Sequence, residues 1–149
     1  MMKFVHSIEN LITKCVPDWL ASLVLRFAVA IPFWKSGLTK WDGFGVLSET
    51  PVILFENEFL LHIFGREYSF PFPTLMAYAS SIGEIILPIL VVLGLFTRIS
   101  ALGILLMTLI IQLTFPDAWP LHLTWAAMAI GVIYLGGSRL SLDRLLLKR

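Results

Sequence analysis

Hydrophobic positions along this chain form long continuous runs, separated only by short polar or proline-containing segments. A run of about 20 apolar residues is long enough to cross a lipid bilayer as an α-helix. The run at 75–115 is about twice that length, so it must contain a turn, expected at residues 94–98. Gly94 is suited to end one helix there and Thr97 to begin the next. The pattern predicts four spans, at residues 19–38, 75–95, 98–115 and 121–135.

Composition supports a membrane protein. Of the 149 residues, 58% are hydrophobic and 14% are charged, whereas soluble domains carry roughly 45–50% apolar and about 25% charged residues. The net charge of +1 gives no basic signal, so no nucleic-acid partner is expected. The single cysteine, Cys15, excludes an internal disulfide and a CxxC redox pair. We therefore expect one all-α membrane domain over residues 1–149, a four-helix bundle whose main partner is the lipid bilayer.

Lys and Arg residues outside the spans are concentrated on one side of the predicted bundle, which is the usual signature of the cytoplasmic side. That side carries Lys3, Lys14, Arg98, Arg139, Arg144, Lys148 and Arg149, whereas the other carries only Lys40 and Arg66. We expect a multi-pass membrane protein with both termini on the cytoplasmic side. The long link of residues 40–73 is then external, and residues 52–64 in it predict a short helix over the mouth of the bundle.

The two terminal segments are amphipathic. In the first, Phe4, Ile8, Leu11, Ile12 and Cys15 fall on one helical face. In the second, Ser141 is a good N-cap for a basic, apolar tail at 142–149. Both patterns are typical of short interfacial helices on an anionic bilayer surface. Frayed, solvated chain ends are the alternative interpretation.

Glu84 lies in the middle of the second predicted span. A charge at bilayer depth costs at least ~2.5–3.5 kcal/mol on insertion scales, so it needs a partner, a proton or a water-filled cavity. Arg26 is expected at the same depth, which makes an Arg26–Glu84 ion pair the simplest arrangement. Ser80, Ser81 and Pro88 share the helix face of Glu84. A structural ion pair, a proton path or ligand pocket, and an unpaired protonated carboxyl all remain open.

A second polar group is expected near the external ends of the spans. It comprises Lys35, Lys40, Gln112, Trp119, His122 and Trp125. His and Lys can hydrogen-bond the carbonyls of a quinone and an indole can stack on its ring, so a quinone is the candidate ligand. An ordinary interfacial aromatic belt with a capping histidine is the alternative. No metal site is predicted, because none of the three histidines has a histidine partner three or four residues away.

Several stretches within residues 19–146 together carry a family resemblance. They are Arg26, Trp34 to Lys40, Leu54-Phe55, Glu67-Tyr68, Glu84, Leu87-Pro88, Leu93 to Leu95, Thr97-Arg98, Met107-Thr108, Gln112, Pro116 to Trp119, His122, Trp125 and Leu140 to Asp143. In these stretches the chain resembles the DoxX family of small four-helix bacterial inner-membrane proteins. The resemblance implies a membrane component of a redox system, similar to a quinone-reducing thiosulfate oxidoreductase subunit. Oxidative-stress and metal-handling membrane systems are the other settings it implies.

Three functions follow from these observations. The first is an oxidoreductase subunit that binds quinone between the spans and works with redox partner proteins. The second is a non-enzymatic scaffold that recruits partners through the external link or the tail. The third is a small proton-coupled transporter, which would need a homo-oligomer with close helix contacts at Gly37, Gly83 and Gly103. The residues leave open whether the protein is an enzyme.

Overall fold

The computed structural model describes residues 2–147 and is mainly helical. In chain order the elements are α1 (Met2–Cys15), α2 (Asp18–Leu38), β1 (Trp41–Gly43), β2 (Val46–Leu47), α3 (Glu49–Asn57), β3 (Leu60–Ile63), β4 (Arg66–Ser69), α4 (Pro73–Leu93), α5 (Thr97–Thr114), α6 (Trp119–Leu135) and α7 (Leu142–Leu147). A short 3-10 helix, Pro116–Ala118, leads directly into α6.

The four predicted spanning helices are present as α2, α4, α5 and α6, each long and apolar enough to cross a membrane. Their ends lie within two residues of the predicted ones. As predicted, Gly94 ends α4: it has a φ of 69° and its N–H reaches back to the carbonyl of Val91. A left-handed residue in this position is the usual glycine C-cap of a helix.

The spanning helices form a ring, because α2 packs on α4 and α6 and α5 packs on the same two helices. The buried core between them consists of Val29, Phe33, Val91, Ala101, Ile104, Ala129 and Val132. The end of the bundle where α2 and α5 begin and α4 and α6 end also carries α7, and we call it the tail end. The opposite end, covered by α3 and the four strands, we call the cap end.

The prediction of an all-α fold is wrong in the link between α2 and α4. Strands β1 and β2 form one antiparallel hairpin and β3 and β4 form another. The apolar run that predicted a helix up to residue 64 is instead split: α3 stops at Asn57, and the rest becomes β3. Phe64 and Gly65, with φ of 49° and 75°, make the tight turn, since two-residue hairpins favour positive φ at both central residues. Short apolar runs suit either structure, so periodicity alone could not separate them.

Helices form at both chain ends, as predicted. In α1 the apolar side chains of Leu11 and Ile12 are exposed, at 64% and 58%. The side chains of Phe4 and Ile8, which complete the predicted apolar face, lie outside the described residues, as do residues 148 and 149 of the predicted basic tail. In α7 the predicted cap is present, because the Ser141 hydroxyl accepts a hydrogen bond from the Arg144 N–H.

Candidate ligand-binding site

A cavity of about 460 Å³ opens between α2, α4 and α5 at the cap end, underneath α3. Ligand sites for small molecules have volumes of about 300–1,000 Å³ and are mostly apolar with a few polar groups. The apolar residues around this cavity include Phe33, Leu54, Phe55, Phe59, Phe70, Met76, Met107, Ile111, Phe115 and Trp125. Its charged residues are Lys40 and Glu84. The cavity therefore has the size and character of a site for an apolar ligand with a polar head.

Glu84 is the buried acid of this cavity, with a side chain that is only 6% exposed. Its Oε1 accepts a hydrogen bond from Lys40 Nζ at 2.7 Å. Its Oε2 is buried and has no hydrogen-bond partner within residues 2–147. Buried polar atoms are nearly always hydrogen-bonded, and an exception calls for a water, an ion or a ligand. Glu84, which lines the cavity, therefore has one acceptor oxygen without a partner in this part of the chain.

Close packing between α2 and α4 brings Lys40 to Glu84. A Cβ atom on Gly37 would lie 3.0 Å from the backbone carbon and oxygen of Glu84, so only glycine fits without a shift. Lys40 lies two residues past the end of α2, and its long side chain reaches the carboxylate. Pro88 has no N–H, so the Glu84 carbonyl lacks its usual donor within α4.

The predicted Arg26–Glu84 ion pair is wrong. Arg26 is buried near the tail end, where it donates hydrogen bonds to the carbonyls of Val91 at 2.7 Å, Leu140 at 2.8 Å and Val92. The last carbonyls of a helix lack intrahelical partners and carry partial negative charge, so a guanidinium suits the end of α4. Arg26 therefore binds the end of α4 to the segment before α7, and Glu84 takes its cation from Lys40.

Asp143 completes this junction and was missed by the sequence reasoning. Its Oδ1 accepts from the Phe96 N–H, and its Oδ2 accepts from the N–H and the hydroxyl of Thr97. Partial burial raises the pKa of Asp143, but these hydrogen bonds and the positive charge of Arg26 outweigh that effect and hold the pKa below its ordinary value. Thr97, predicted as a helix start, does begin α5, but the cap comes from Asp143 of the tail rather than from Thr97 itself.

Gln112, His122 and Trp125 form a second polar cluster beside the cavity. The Gln112 amide nitrogen donates to the carbonyl of Pro116 at 3.0 Å, which turns its oxygen toward His122 Nδ1 at 2.8 Å. That oxygen only accepts, so the proton of a neutral His122 lies on Nδ1. The ring of His122 lies 5.2 Å from the ring of Trp125, which lines the cavity. The predicted proximity of these three residues is therefore present.

The remaining candidates separate into two groups. Ser80 lines the cavity and donates to the carbonyl of Ala77. Ser81 is buried and donates to the same carbonyl, so its hydroxyl is already bonded inside α4. Lys35 and Trp119 are exposed and lie outside the cavity lining, in positions that suit an interfacial belt. The predicted set is thus centred on Lys40, Ser80, Glu84 and Trp125.

Several aromatic residues around the cavity belong to the link between α2 and α4, and no sequence motif had marked them as site residues. Phe55 of α3 packs on Phe59 and Phe70, with ring centroids 5.2 and 4.9 Å apart. The hairpin β3–β4 is attached beside them, because His62 Nδ1 lies 3.1 Å from the carbonyl of Leu113. Within residues 2–147, no group of three or more His, Cys, Asp or Glu side chains is placed to hold a metal ion.

Comparison with known proteins agrees with this architecture. An uncharacterized protein of Haemophilus influenzae (strain ATCC 51907 / DSM 11121 / KW20 / Rd) is 28% identical over 142 residues, covering 85% of this chain and 83% of the relative. No solved structure matches the chain. The family that matches is DoxX, over residues 21–117, from the first span to the turn before α6. Since this match covers more than half of the sequence, the four-helix chain belongs to the DoxX family.

Proposed function

We propose that the protein is the membrane subunit of a quinone-linked redox system and that it holds the quinone head group in the cavity at the cap end. The observation that carries this proposal is the open Oε2 of Glu84 in an otherwise apolar cavity of about 460 Å³. An apolar ring with oxygen atoms on its edge matches that combination. The cavity volume falls in the range of sites that enclose most of a small ligand.

Each polar group has a role in this arrangement. Glu84 Oε2 accepts a hydrogen bond from a hydroxyl of the reduced ligand, the quinol. Lys40, which already donates to Glu84 Oε1, holds the carboxylate in place and has further N–H groups for a quinone oxygen. Reduction of a quinone takes up two electrons and two protons. In this proposal a redox partner protein supplies the two electrons and water supplies the two protons. The Glu84 carboxylate takes up one proton from water and passes it to the ligand oxygen beside it, which restores the carboxylate. The other ligand oxygen takes its proton from water that enters the cavity.

The membrane setting belongs to the same proposal. We infer an inner-membrane protein with both termini in the cytoplasm, which puts the tail end inside and the cap end outside. Support comes from the charge distribution, since Arg98, Arg139 and Arg144 lie at the tail end whereas Lys40 and Arg66 lie at the cap end. A quinone would then enter the cavity from the outer half of the bilayer.

The test is a titration of the purified, full-length protein with a short-chain ubiquinone, followed by the fluorescence of Trp125 and the other tryptophans. We expect saturable quenching for the wild type. Glu84→Gln removes a charged acceptor whose hydrogen bond contributes ~1.5–3 kcal/mol, so the affinity should fall about 10- to 100-fold. Ser81→Ala, on the same helix but outside the lining, is the matched control and should bind like the wild type.

A second variant tests the location of the ligand. Ser80→Phe puts a ring into the cavity while both Lys40 and Glu84 are kept, and it should abolish quenching. Unchanged binding in both Ser80→Phe and Glu84→Gln would refute the site. Absence of any quinone binding by the wild type would refute the proposed function.

A further inference from the structure

A second cleft, of about 970 Å³, opens at the tail end and is separate from the cavity under α3. It lies between the first turns of α2 and α5 and the segment that joins α6 to α7. Since α2 and α5 begin here and α6 ends here, the cleft is at the level where the chain leaves the apolar part of the bilayer. Groups at this level meet lipid headgroups.

The cleft contains more basic than acidic side chains. Arg98, Arg139 and Arg144 line it, together with Asp18 and Asp143. Both oxygens of Asp143 are already bonded to the start of α5, and its charge also faces Arg26. Asp18 is in the first turn of α2, where the helix dipole favours a negative charge. The three arginines therefore keep an excess of positive charge.

These arginines are available to a ligand. All three are exposed, and none forms an ion pair with an acid in the part of the chain that the structure describes. The one hydrogen bond of Arg98 is a long contact of 3.5 Å to the carbonyl of Tyr134. Guanidinium groups bind phosphate oxygens in a bidentate way. A phosphate group in the cleft would thus find several unoccupied donors.

Three further features of the lining fit the phosphate and the apolar part of a lipid. The Ser138 hydroxyl, on the lining of this cleft, is buried and has no hydrogen-bond partner within residues 2–147, so it can donate to a phosphate oxygen. Phe96 and Ile99, also on the lining, are 57% and 71% exposed and offer apolar contact to acyl chains. Trp19 lines the same cleft, and tryptophan is enriched at the headgroup level of membranes.

We propose that this cleft binds an anionic phospholipid, with its phosphate on Arg139, Arg144 and Arg98 and its acyl chains along Phe96 and Ile99. The bound lipid would lie against Gly136 and Ser138 and connect the end of α6 with the start of α5. Such a site holds the tail end of the bundle to an anionic leaflet. It is independent of any ligand in the cavity at the cap end.

The test compares short-chain phosphatidylglycerol with phosphatidylcholine on the full-length protein in neutral detergent, with retained lipid counted by native mass spectrometry. The wild type should retain phosphatidylglycerol preferentially. A basic residue near an anionic lipid surface gives about a fivefold gain in binding, so Arg139→Gln combined with Arg144→Gln should weaken retention roughly 25-fold. Phosphatidylcholine binding should not change. The lysine pair Arg139→Lys and Arg144→Lys keeps the charge and should lose only part of the preference.

The matched control removes the same charge at the cap end. Lys35→Gln combined with Arg66→Gln affects two exposed residues and should leave the preference unchanged. An equal loss in this control would show a general charge effect and overturn the site. Unchanged retention in the Arg139/Arg144 variant would also overturn it. Retention of inorganic phosphate equal to that of phosphatidylglycerol would assign the cleft to a free anion instead of a lipid.

Discussion

Replacing Lys40 by Met removes the ammonium group that contacts the buried carboxylate of Glu84, and the effect should be strongly asymmetric between the two partners. The Glu84 side chain is 6% exposed whereas the Lys40 side chain is 21% exposed. Without Lys40 the carboxylate stays buried with neither oxygen satisfied. In Glu84→Met, by contrast, the flexible lysine can turn its ammonium group to water.

The structure sets the magnitude. At the observed 2.7 Å, an effective dielectric constant of about 20 gives an attraction of roughly 6 kcal/mol, and the desolvation of both groups offsets much of it. Removing one member of a buried pair typically costs about 3–5 kcal/mol. Because the cavity admits some solvent, we expect a loss near ~3 kcal/mol for Lys40→Met, and under ~1 kcal/mol for Glu84→Met. At ~2–4 °C per kcal/mol, Lys40→Met should lower the Tm by about 6–12 °C.

The assay is thermal unfolding in detergent, followed by tryptophan fluorescence, for the two single variants and the double variant. The double variant should resemble Glu84→Met, because it leaves no unpaired charge. Lys35→Met, which changes an exposed lysine in the last turn of α2, is the control and should stay within ~0.5 kcal/mol. Equal losses in both single variants, summing in the double, would refute the idea that the lysine neutralises a buried acid.

Three further predictions concern the rest of the molecule. Asp143→Asn keeps one acceptor oxygen but loses the negative charge that faces the start of α5 and Arg26, so it should cost about 0.3–1 kcal/mol. Because the pKa of Asp143 lies below its ordinary value, this stabilisation is present above about pH 4 and is lost as acid protonates the folded carboxyl. The melting temperatures of wild type and variant should thus converge as the pH falls. A difference in melting temperature that stays constant with pH would contradict the account. Gly37→Ala should destabilise the protein by about 1–3 kcal/mol because the new Cβ meets the backbone of α4, whereas in Gly83→Ala the nearest atoms belong to a flexible methionine and the change should be tolerated. Chemical unfolding measures both effects. Equal losses of stability in the two variants would contradict this packing argument. In spheroplasts, an impermeant maleimide should label exposed Cys15 only after permeabilisation, whereas Cys15→Ser with Glu58→Cys should be labelled at once; the reverse result would invert the orientation.

The spanning helices were predictable because apolar length is a physical requirement of the bilayer that the sequence shows directly. The glycine at position 94 could be read in the same way, since the turn needs a left-handed residue. The hairpin at β3 and β4 could not, because its apolar run also fits a helix and only the Phe64-Gly65 turn distinguishes the two. Local sequence patterns thus predicted those elements whose length or turn geometry requires particular residues.

Local sequence patterns could not identify the residue that pairs with Glu84. Depth along a helix at ~1.5 Å per residue brings Arg26 to a plausible level, but it ignores the other acceptors that compete for a guanidinium. The carbonyls at the end of α4 and before α7 accept a hydrogen bond from each of its three nitrogens. Lys40 lies past the end of its helix, and only the length of its side chain brings its charge down to the carboxylate. The charge of a long side chain can lie several ångströms from its Cα atom, so the position of a residue along a helix does not give the depth of its charge.

Three glycines were predicted to make close helix contacts in a homo-oligomer, and the structure shows what each of them contacts. Gly37 lies against the backbone of Glu84, Gly83 against Met107, and Gly103 against Leu87, so all three allow close packing within one chain. They therefore give no reason to expect a second copy, and the homo-oligomer stays a prediction without a surface assigned to it.

The charged side chains inside the two ends of the bundle differ in how they are bonded, and this difference bears on function. At the tail end, Arg26 and Asp143 form hydrogen bonds with backbone groups of neighbouring elements, and these bonds hold the helix ends together. At the cap end, Glu84 keeps one oxygen unbonded, although the hydroxyl of Ser80 on the same lining bonds its own helix. A buried acceptor left open costs about 1–3 kcal/mol, and a purely structural ion pair gains nothing from that cost. A ligand that donates to Glu84 would recover it, which is why the cavity rather than the arginine junction is the place to look for chemistry.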